Sequence, residues 1–155
     1  MKVLELFAGT RSIGKAFEAH GHQVFSVEWD KSFENIDLYE DVLKVTPEEI
    51  VKRFGRPDVI WASPDCMSGL PRHTVTYCQH GDTRMKPTDI WTNHPDPEFK
   101  PPCHNGDPCH TPAPRGAKTG TQGLSGSRER SIIPAALCEH IVEICESGDP
   151  DWGRH

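Results

Sequence analysis

The sequence has few apolar residues and no long apolar run. Hydrophobic residues make up 35% of the 155 positions, and the mean hydropathy is −0.60. No stretch approaches the ~20 consecutive apolar residues of a membrane span, and the N-terminal residues resemble a strand rather than a signal peptide. We therefore expect a cytoplasmic protein with no membrane partner, of a length that suits one domain.

An excess of positive charge is also missing, since the net charge is −6. This value argues against a protein that coats nucleic acid without sequence preference. The charge is uneven, because residues 70–134 carry eight basic and six acidic side chains. The sequence is therefore still compatible with a local segment that contacts nucleic-acid phosphates.

Cysteine, proline and glycine are present in a pattern that divides the chain. In the reducing compartment that we expect, the six cysteines are better candidates for metal binding or catalysis than for disulfides. Most of the 14 prolines and 13 glycines follow residue 63. The capacity to form a packed core therefore lies mainly in the first 62 residues.

The N-terminal residues have the pattern of a nucleotide-binding α/β unit. Val3 to Phe7 predicts a strand, Gly9 a turn, and Ser12 the N-cap of the following helix. A second predicted strand, Val24 to Val27, leads directly to Glu28. This order is typical of a site whose acid binds ribose hydroxyls. A solvated acid at a strand end is the other interpretation.

A second helix and strand follow. Thr46 is a predicted N-cap with Pro47 at the first helical position, and Asp58 to Ala62 is an apolar run typical of a central parallel strand covered on both faces. That strand would bring Ser63 to Cys66 to the same sheet edge as the glycine turn. The predicted buried face of the helix consists of Ile50, Val51 and Phe54.

The later sequence predicts a hairpin, a loop-rich segment and a last helix. Thr74 to Cys78 and Thr88 to Thr92 are β-rich and flank a turn. Residues 94–130 contain proline and glycine without periodicity, which predicts a long loop or a small module. The helix after Pro134 is marked by Leu137, Ile141, Ile144 and Cys145.

In these motifs the chain resembles the cytosine-5 DNA methyltransferases, in particular the compact phage and bacterial type. Leu4 to Gly9 resembles their S-adenosylmethionine loop, Glu28 to Asp30 their ribose-binding acid, and Asp41-Val42 their adenine-contacting pair. Ser63 to Cys66 falls where the family has its proline-cysteine nucleophile loop. Residues 77–93 are similar to the family's late hairpin with its active-site arginine, and 130–134 to its closing motif.

The resemblance implies a fold and its division. The implied fold class is α/β, a Rossmann-like S-adenosylmethionine-dependent methyltransferase fold that is truncated, with a late β-hairpin and a loop-rich insert. Residues 1–66 would be the cofactor-binding half, and residues 67–93 a hairpin that completes the sheet. Residues 94–130 would be a DNA-recognition or metal segment, and 131–148 a C-terminal helix that packs back on the sheet.

The resemblance also implies an activity, methyl transfer from S-adenosylmethionine to cytosine in double-stranded DNA of a bacterial or phage-infected cell. Cys66 would be the nucleophile that adds to a flipped-out cytosine. Arg84 would hold that base or orient the thiolate. A buried apolar cysteine and a solvated turn arginine are the alternatives. The implied cofactor-binding residues are Phe7, Ala8, Gly9, Thr10, Ser12, Ile13, Glu28, Trp29, Asp41, Val42, Ser63 and Pro64.

Two departures from the family pattern favour a second hypothesis. Asp65 replaces the second proline of the nucleophile loop, and its carboxylate disfavours a neighbouring thiolate. The family's Glu-Asn-Pro motif is absent, and only Met67 to Pro71 separate Cys66 from Arg72. An internal deletion would leave an inactive remnant that binds cofactor or DNA. It would also leave sheet edges unpaired, which a homodimer could cover.

The loop-rich segment supports a third hypothesis, a zinc-stapled nucleic-acid-binding module. Its two Cys-His doublets suit zinc, and a segment without a core gains most from a metal. Scattered surface side chains are the alternative. The proposed ligands are Cys78, Cys103, Cys109 and His110.

Basic residues in the same segment suit DNA contact. Arginine and lysine bind phosphates, and the interspersed glycines permit close approach. A disordered polar linker explains the composition equally well. The proposed DNA-binding residues are Arg115, Lys118, Arg128 and Arg130.

Overall fold

The computed structural model describes residues 1–63, 69–112, 124 and 126–148. The chain divides into two compact units, one built on residues 1–63 and the other on residues 69–146. Of the predicted site residues, Pro64, Cys66, Arg115 and Lys118 lie outside the described residues.

The first unit contains a parallel four-stranded sheet. Its strand order is β3-β2-β1-β4, and every neighbouring pair is parallel. A mixed α/β fold with a parallel sheet was predicted, and it is confirmed at this level. The strands are β1 (Lys2–Leu6), β2 (Gln23–Glu28), β3 (Leu38–Tyr39) and β4 (Val59–Ala62).

Two helices connect these strands, α1 (Ser12–Ala19) and α2 (Pro47–Arg53). The predicted cap of α2 is confirmed, because Thr46 Oγ1 accepts the Glu49 N–H at 3.2 Å. The predicted cap of α1 is wrong, because Arg11 occupies that position and Ser12 is the first helical residue. The conformation of the turn before α1, rather than a side-chain cap, determines where the helix begins.

The core of the first unit lies on both faces of β1. Leu4, Val27 and Ile50 form one cluster, while Ile13 and Phe17 of α1 are fully buried on the helix's inner side. The predicted burial of Val51 is wrong, since 51% of this residue is exposed. Because α2 has only seven residues, a single row of its side chains can contact the sheet.

The apolar run of β4 does not make it a central strand. Among the described strands, β4 pairs only with β1, and 62% of Ile60 is exposed. The predicted cover on both faces is therefore wrong for this part of the chain. An apolar run shows that a strand has some burial, but it does not fix the strand's place in the sheet order.

The second unit contains the predicted hairpin, formed by β5 (Arg72–Thr76) and β6 (Pro87–Trp91) in antiparallel pairing. These strands make a two-stranded sheet of their own, whereas the prediction had them completing the larger sheet. Pairing between strands so close in sequence needs only a short loop closure. A 3₁₀ helix, Tyr77–His80, follows β5 directly.

Two helices complete this unit, α3 (Ser127–Ser131) and α4 (Ala135–Ser147). Helix α4 packs on its own unit, where His140 lies 5.5 Å from His80 and 6.1 Å from Phe99 between ring centroids. The prediction of a long loop over residues 94–130 is confirmed for residues 94–112, which contain no helix or strand, and is wrong where α3 begins at Ser127. Within the described ranges, no helix has the length and apolar character to cross a membrane. The buried residues of α4 are Leu137, Cys138, Ile141 and Val142.

Candidate functional site

The turn between β1 and α1 has an unusual backbone. Phe7, Gly9 and Arg11 all have positive φ, at 54°, 50° and 56°. A non-glycine residue in this region costs on the order of 1 kcal/mol, so surrounding contacts must hold the turn in place. One such contact is the Ala8 N–H, which donates to the Val27 carbonyl at 3.2 Å.

The Glu28 carboxylate joins this turn to the end of β2. Its Oε2 accepts the Gly9 N–H at 2.9 Å, while its Oε1 accepts the N–H groups of Trp29 and Asp30 at 2.9 and 3.0 Å. The structure thus brings together the glycine turn and the acid that the sequence singled out. Because the strands are parallel, both lie at the carboxyl edge of the sheet.

The remaining predicted cofactor residues occupy varied positions. Trp29 is 72% exposed, whereas Ile13 is buried in the core. Asp41 follows β3 and caps a 3₁₀ helix, Val42–Lys44, through the Leu43 N–H at 3.0 Å. Val42 packs against the core cluster.

Four hydroxyl-bearing or aromatic members of the set lie on the turn, at the start of α1 or after β4. Thr10 Oγ1 and Ser12 Oγ are 2.9 Å apart, and Ser63 Oγ accepts the indole N–H of Trp61 at 3.1 Å. Phe7 is 43% exposed and Ser63 is exposed, whereas Thr10 and Ser12 are half-buried and Ala8 is buried. Of the predicted residues on the turn itself, Phe7 is therefore the one with a largely accessible side chain.

A buried carboxyl beneath the turn was missed by sequence reasoning. Glu5 is 2% exposed, and its Oε1 accepts the Gly14 N–H at 2.9 Å. Its Oε2 lies 3.8 Å from Arg11 Nε and has no hydrogen-bond partner among the described residues. Burial raises the pKa of Glu5 to about 7. The sequence feature that could have identified Glu5 is its position as the one acid in the apolar run from Val3 to Phe7.

In the second unit, four predicted metal ligands come together. The sulfur atoms of Cys78, Cys103 and Cys109 and a ring nitrogen of His110 all lie within 4.8 Å of one another. Cys78 comes from the 3₁₀ helix after β5, and the others from the 94–112 segment. The cluster can hold a metal ion and is compatible with zinc. The neighbouring His104 instead belongs to a turn, where its N–H donates to Asp107.

Backbone contacts place these ligands. The Cys103 N–H donates to Thr76 Oγ1 at 3.0 Å, and Thr111 N–H donates to the Thr83 carbonyl at 2.9 Å. Cys78 and Cys103 are buried, whereas Cys109 is exposed. Burial and the adjacent Cys78 sulfur raise the pKa of the Cys103 thiol.

Arg84 is buried rather than solvated. Its guanidinium forms an ion pair with Asp82, which accepts from Nε at 2.9 and 3.0 Å and also from Nη2. The arginine lowers the pKa of Asp82 through these bonds. Its other donors reach the carbonyls of Glu129 and Ile132 at 3.4 and 3.3 Å. Arg84 therefore ties the hairpin turn to the α3 region.

Arg84 also lines a groove of about 430 Å³ in this unit. Of the predicted DNA contacts near it, Arg128 is exposed and Arg130 is half-buried. The Arg130 carbonyl accepts from Lys86 Nζ at 2.6 Å, which fixes this part of α3 against the hairpin.

Comparison with protein-family models, with curated proteins and with solved structures gives no match for this chain.

Proposed function

We propose that the protein binds S-adenosylmethionine at the carboxyl edge of its parallel sheet and acts as a DNA (cytosine-5) methyltransferase-like protein. The observation that carries this proposal is the hydrogen bond between the Gly9 N–H and the Glu28 carboxylate. Ligands of open α/β sheets bind at this edge, where a glycine turn and an acid serve the phosphate or ribose part of a nucleotide.

The local geometry suits an adenosyl group. A carboxylate has about four acceptor positions, and Glu28 uses three of them for backbone N–H groups, which leaves capacity for a ribose hydroxyl. Among the described residues, the nearest atom to a Cβ built on Gly9 is the Phe7 carbonyl oxygen, at 3.9 Å. The described part of the chain therefore leaves space for a ligand beside the glycine.

In this proposal the bound cofactor supplies the methyl group. The chain's own residues bind and orient it, with Glu28 on the ribose and Asp41 near the adenine. Cys66 would attack C6 of a cytosine that has left the DNA stack. The proposed DNA contacts are Arg115, Lys118, Arg128 and Arg130, and the proposed location is the cytoplasm.

A titration of S-adenosylmethionine into the full chain tests the cofactor site. Glu28→Gln is expected to weaken binding by about tenfold, since a charge-assisted hydrogen bond to ribose is lost. Glu34→Gln, at an exposed acid nearby in sequence, is the matched control and should bind normally. Equal affinities for the two variants would contradict the assignment of Glu28.

A second candidate is a remnant that binds the cofactor without turnover. The observation that favours it is the engagement of Arg84 with Asp82, which occupies the side chain expected to hold cytosine. Transfer of a tritiated methyl group to cytosine-containing DNA separates the two candidates. Transfer that disappears in Cys66→Ala supports the enzyme, whereas cofactor binding without transfer supports the remnant.

The third candidate, a zinc-stapled nucleic-acid-binding module, is favoured for the second unit by the Cys-His cluster. Zinc would stabilise this module and take no part in methyl transfer. Retention of double-stranded DNA by the zinc-loaded chain in a mobility-shift assay, with no S-adenosylmethionine binding, would support this candidate over the first two.

A further inference from the structure

We infer that Cys78, Cys103, Cys109 and His110 bind one zinc ion through three thiolates and the imidazole Nδ1, as the structural centre of the second unit. This site is independent of the adenosyl site proposed above. It would take a soft or borderline divalent ion, because thiolate and imidazole ligands disfavour magnesium and calcium.

The distances between the ligand atoms match a tetrahedral zinc site. In a tetrahedral site, zinc–sulfur bonds of about 2.3 Å and zinc–nitrogen bonds of about 2.0 Å give a sulfur–sulfur edge of about 3.8 Å and a sulfur–nitrogen edge of about 3.5 Å. Cys109 Sγ lies 3.6 Å from Cys78 Sγ, and the His110 Nδ1 lies 3.6 and 3.7 Å from the sulfurs of Cys103 and Cys109. Three of the four measured edges therefore fit the ion.

The fourth measured edge identifies one adjustment that the ion requires. Cys78 Sγ and Cys103 Sγ are 3.0 Å apart, which is shorter than a tetrahedral edge and longer than a disulfide bond of about 2.05 Å. Separation of these two sulfurs by less than 1 Å would bring this edge to the tetrahedral value. The Cys103 backbone is held by Thr76, so a small side-chain rotation would supply the movement.

Four protein ligands leave no coordination position for water or substrate. A closed site of this kind stabilises a fold, whereas catalytic zinc keeps one open position. Neighbouring groups suit the negative charge of three thiolates, since Gln79 Nε2 lies 3.7 Å from Cys109 Sγ and Lys100 Nζ donates to the Gln79 carbonyl.

The chain needs such a centre because its 94–112 segment has no helix or strand of its own. The ion would join this segment, through Cys103, Cys109 and His110, to Cys78 beside the hairpin. Metal binding then contributes directly to folding of the unit.

The test is metal analysis of the full chain purified under reducing conditions without chelator. One zinc per chain is expected, and replacement by cobalt should give the visible absorption of a tetrahedral cobalt–thiolate centre. His110→Ala should weaken zinc binding at least ~100-fold, since loss of a ligand exceeds the effect of losing an outer contact. His104→Ala, in the other doublet, is the matched control and should bind zinc normally.

Two further measurements keep the outcome decisive if His110→Ala folds poorly. Cys109→Ser should lose the cobalt spectrum, whereas Cys145→Ser, outside the cluster, should retain it. Absence of zinc and of a cobalt spectrum in the folded, reduced wild-type chain would overturn the inference. So would a Cys78–Cys103 disulfide in place of bound metal. Neither result would affect S-adenosylmethionine binding, so the two proposals can fail separately.

Discussion

At the scale of single residues, the buried carboxyl of Glu5 is the most informative group in the first unit. It lies beneath the β1–α1 turn, where it contacts the backbone of α1 and the side chain of Arg11. Arg11 also pairs with Glu18 at 2.5 Å. These contacts connect the strand, the strained turn and the helix, and they therefore support the geometry on which cofactor binding would depend.

The raised pKa of Glu5 predicts a specific pH dependence. Folded Glu5 keeps its proton up to about pH 7, whereas the unfolded chain releases it near pH 4.5. The folded state therefore binds more protons between these values, and this group's contribution to stability falls as pH rises through that window. Glu5→Gln removes the contribution. The unfolding free energy of wild type minus that of Glu5→Gln, from urea denaturation, should decrease from pH 5 to pH 7 by up to about 1.4 kcal/mol per pH unit. Stability curves that remain parallel would contradict this role.

Gly14 is predicted not to tolerate a side chain, because the buried Glu5 carboxyl packs directly against it. A Cβ at this position would lie 2.3 Å from Glu5 Oε2 and 3.2 Å from Val24 Cγ1. Alanine in a helix gains about 1 kcal/mol over glycine, but overpacking costs about 1–3 kcal/mol. We expect Gly14→Ala to destabilise the chain by roughly 1 kcal/mol in urea denaturation. Gly69→Ala is the control, because no atom of the described residues lies within 4 Å of a Cβ built there, and equal stability of the two variants would exclude the close contact.

At the scale of secondary-structure elements, the sequence predicted features that depend on neighbouring residues, but not features that depend on tertiary packing. The Thr46 cap depends on one side chain and the next few residues, so the sequence contained all the information. The start of α1 depends on the conformation of a turn, and the position of β4 on the strand order, so neither follows from a local pattern. The gathering of Cys103, Cys109 and His110 was predictable because two Cys-His doublets stand close together in a segment without a core of its own. Glu5 was missed because its contact with Gly14 forms only when strand and helix pack.

We predict that the Arg84 side chain holds α3 in place. The Arg84 guanidinium donates to the Glu129 and Ile132 carbonyls, and a hydrogen bond to a charged group contributes about 1.5–3 kcal/mol. An exposed ion pair contributes about 0–1 kcal/mol. Arg84→Gln should therefore increase amide hydrogen exchange across α3 strongly. Arg72→Gln breaks a pair whose arginine side chain is 62% exposed, and it should change exchange little. Unchanged exchange in α3 for Arg84→Gln would show that other contacts hold the helix.

At the scale of the whole molecule, the two units are predicted to differ in their dependence on metal. Removal of zinc by a chelator should expose the backbone of residues 94–112, since the cluster joins that segment to the hairpin. Amides of β1 and β2 should retain their protection, because their core contains no cluster ligand. Hydrogen exchange with and without chelator measures both regions in one sample. Equal loss of protection in β1 would contradict separate stabilisation of the units.

Self-association of the chain into a homodimer stays a prediction. An unpaired β-strand edge favours pairing with a second chain, and β4 is an edge among the described strands. Light scattering at micromolar concentration should give the mass of a dimer for the wild type and of a monomer for Ile60→Lys. A monomeric wild type would exclude a homodimer under these conditions.

Binding of S-adenosylmethionine at the β1–α1 turn is measured by calorimetric titration of the reduced, folded chain. We expect saturable binding of one cofactor per chain, with a weaker response after Glu28→Gln. A folded wild-type chain that releases or absorbs no heat of binding, and that gains no thermal stability from excess cofactor, would contradict this expectation.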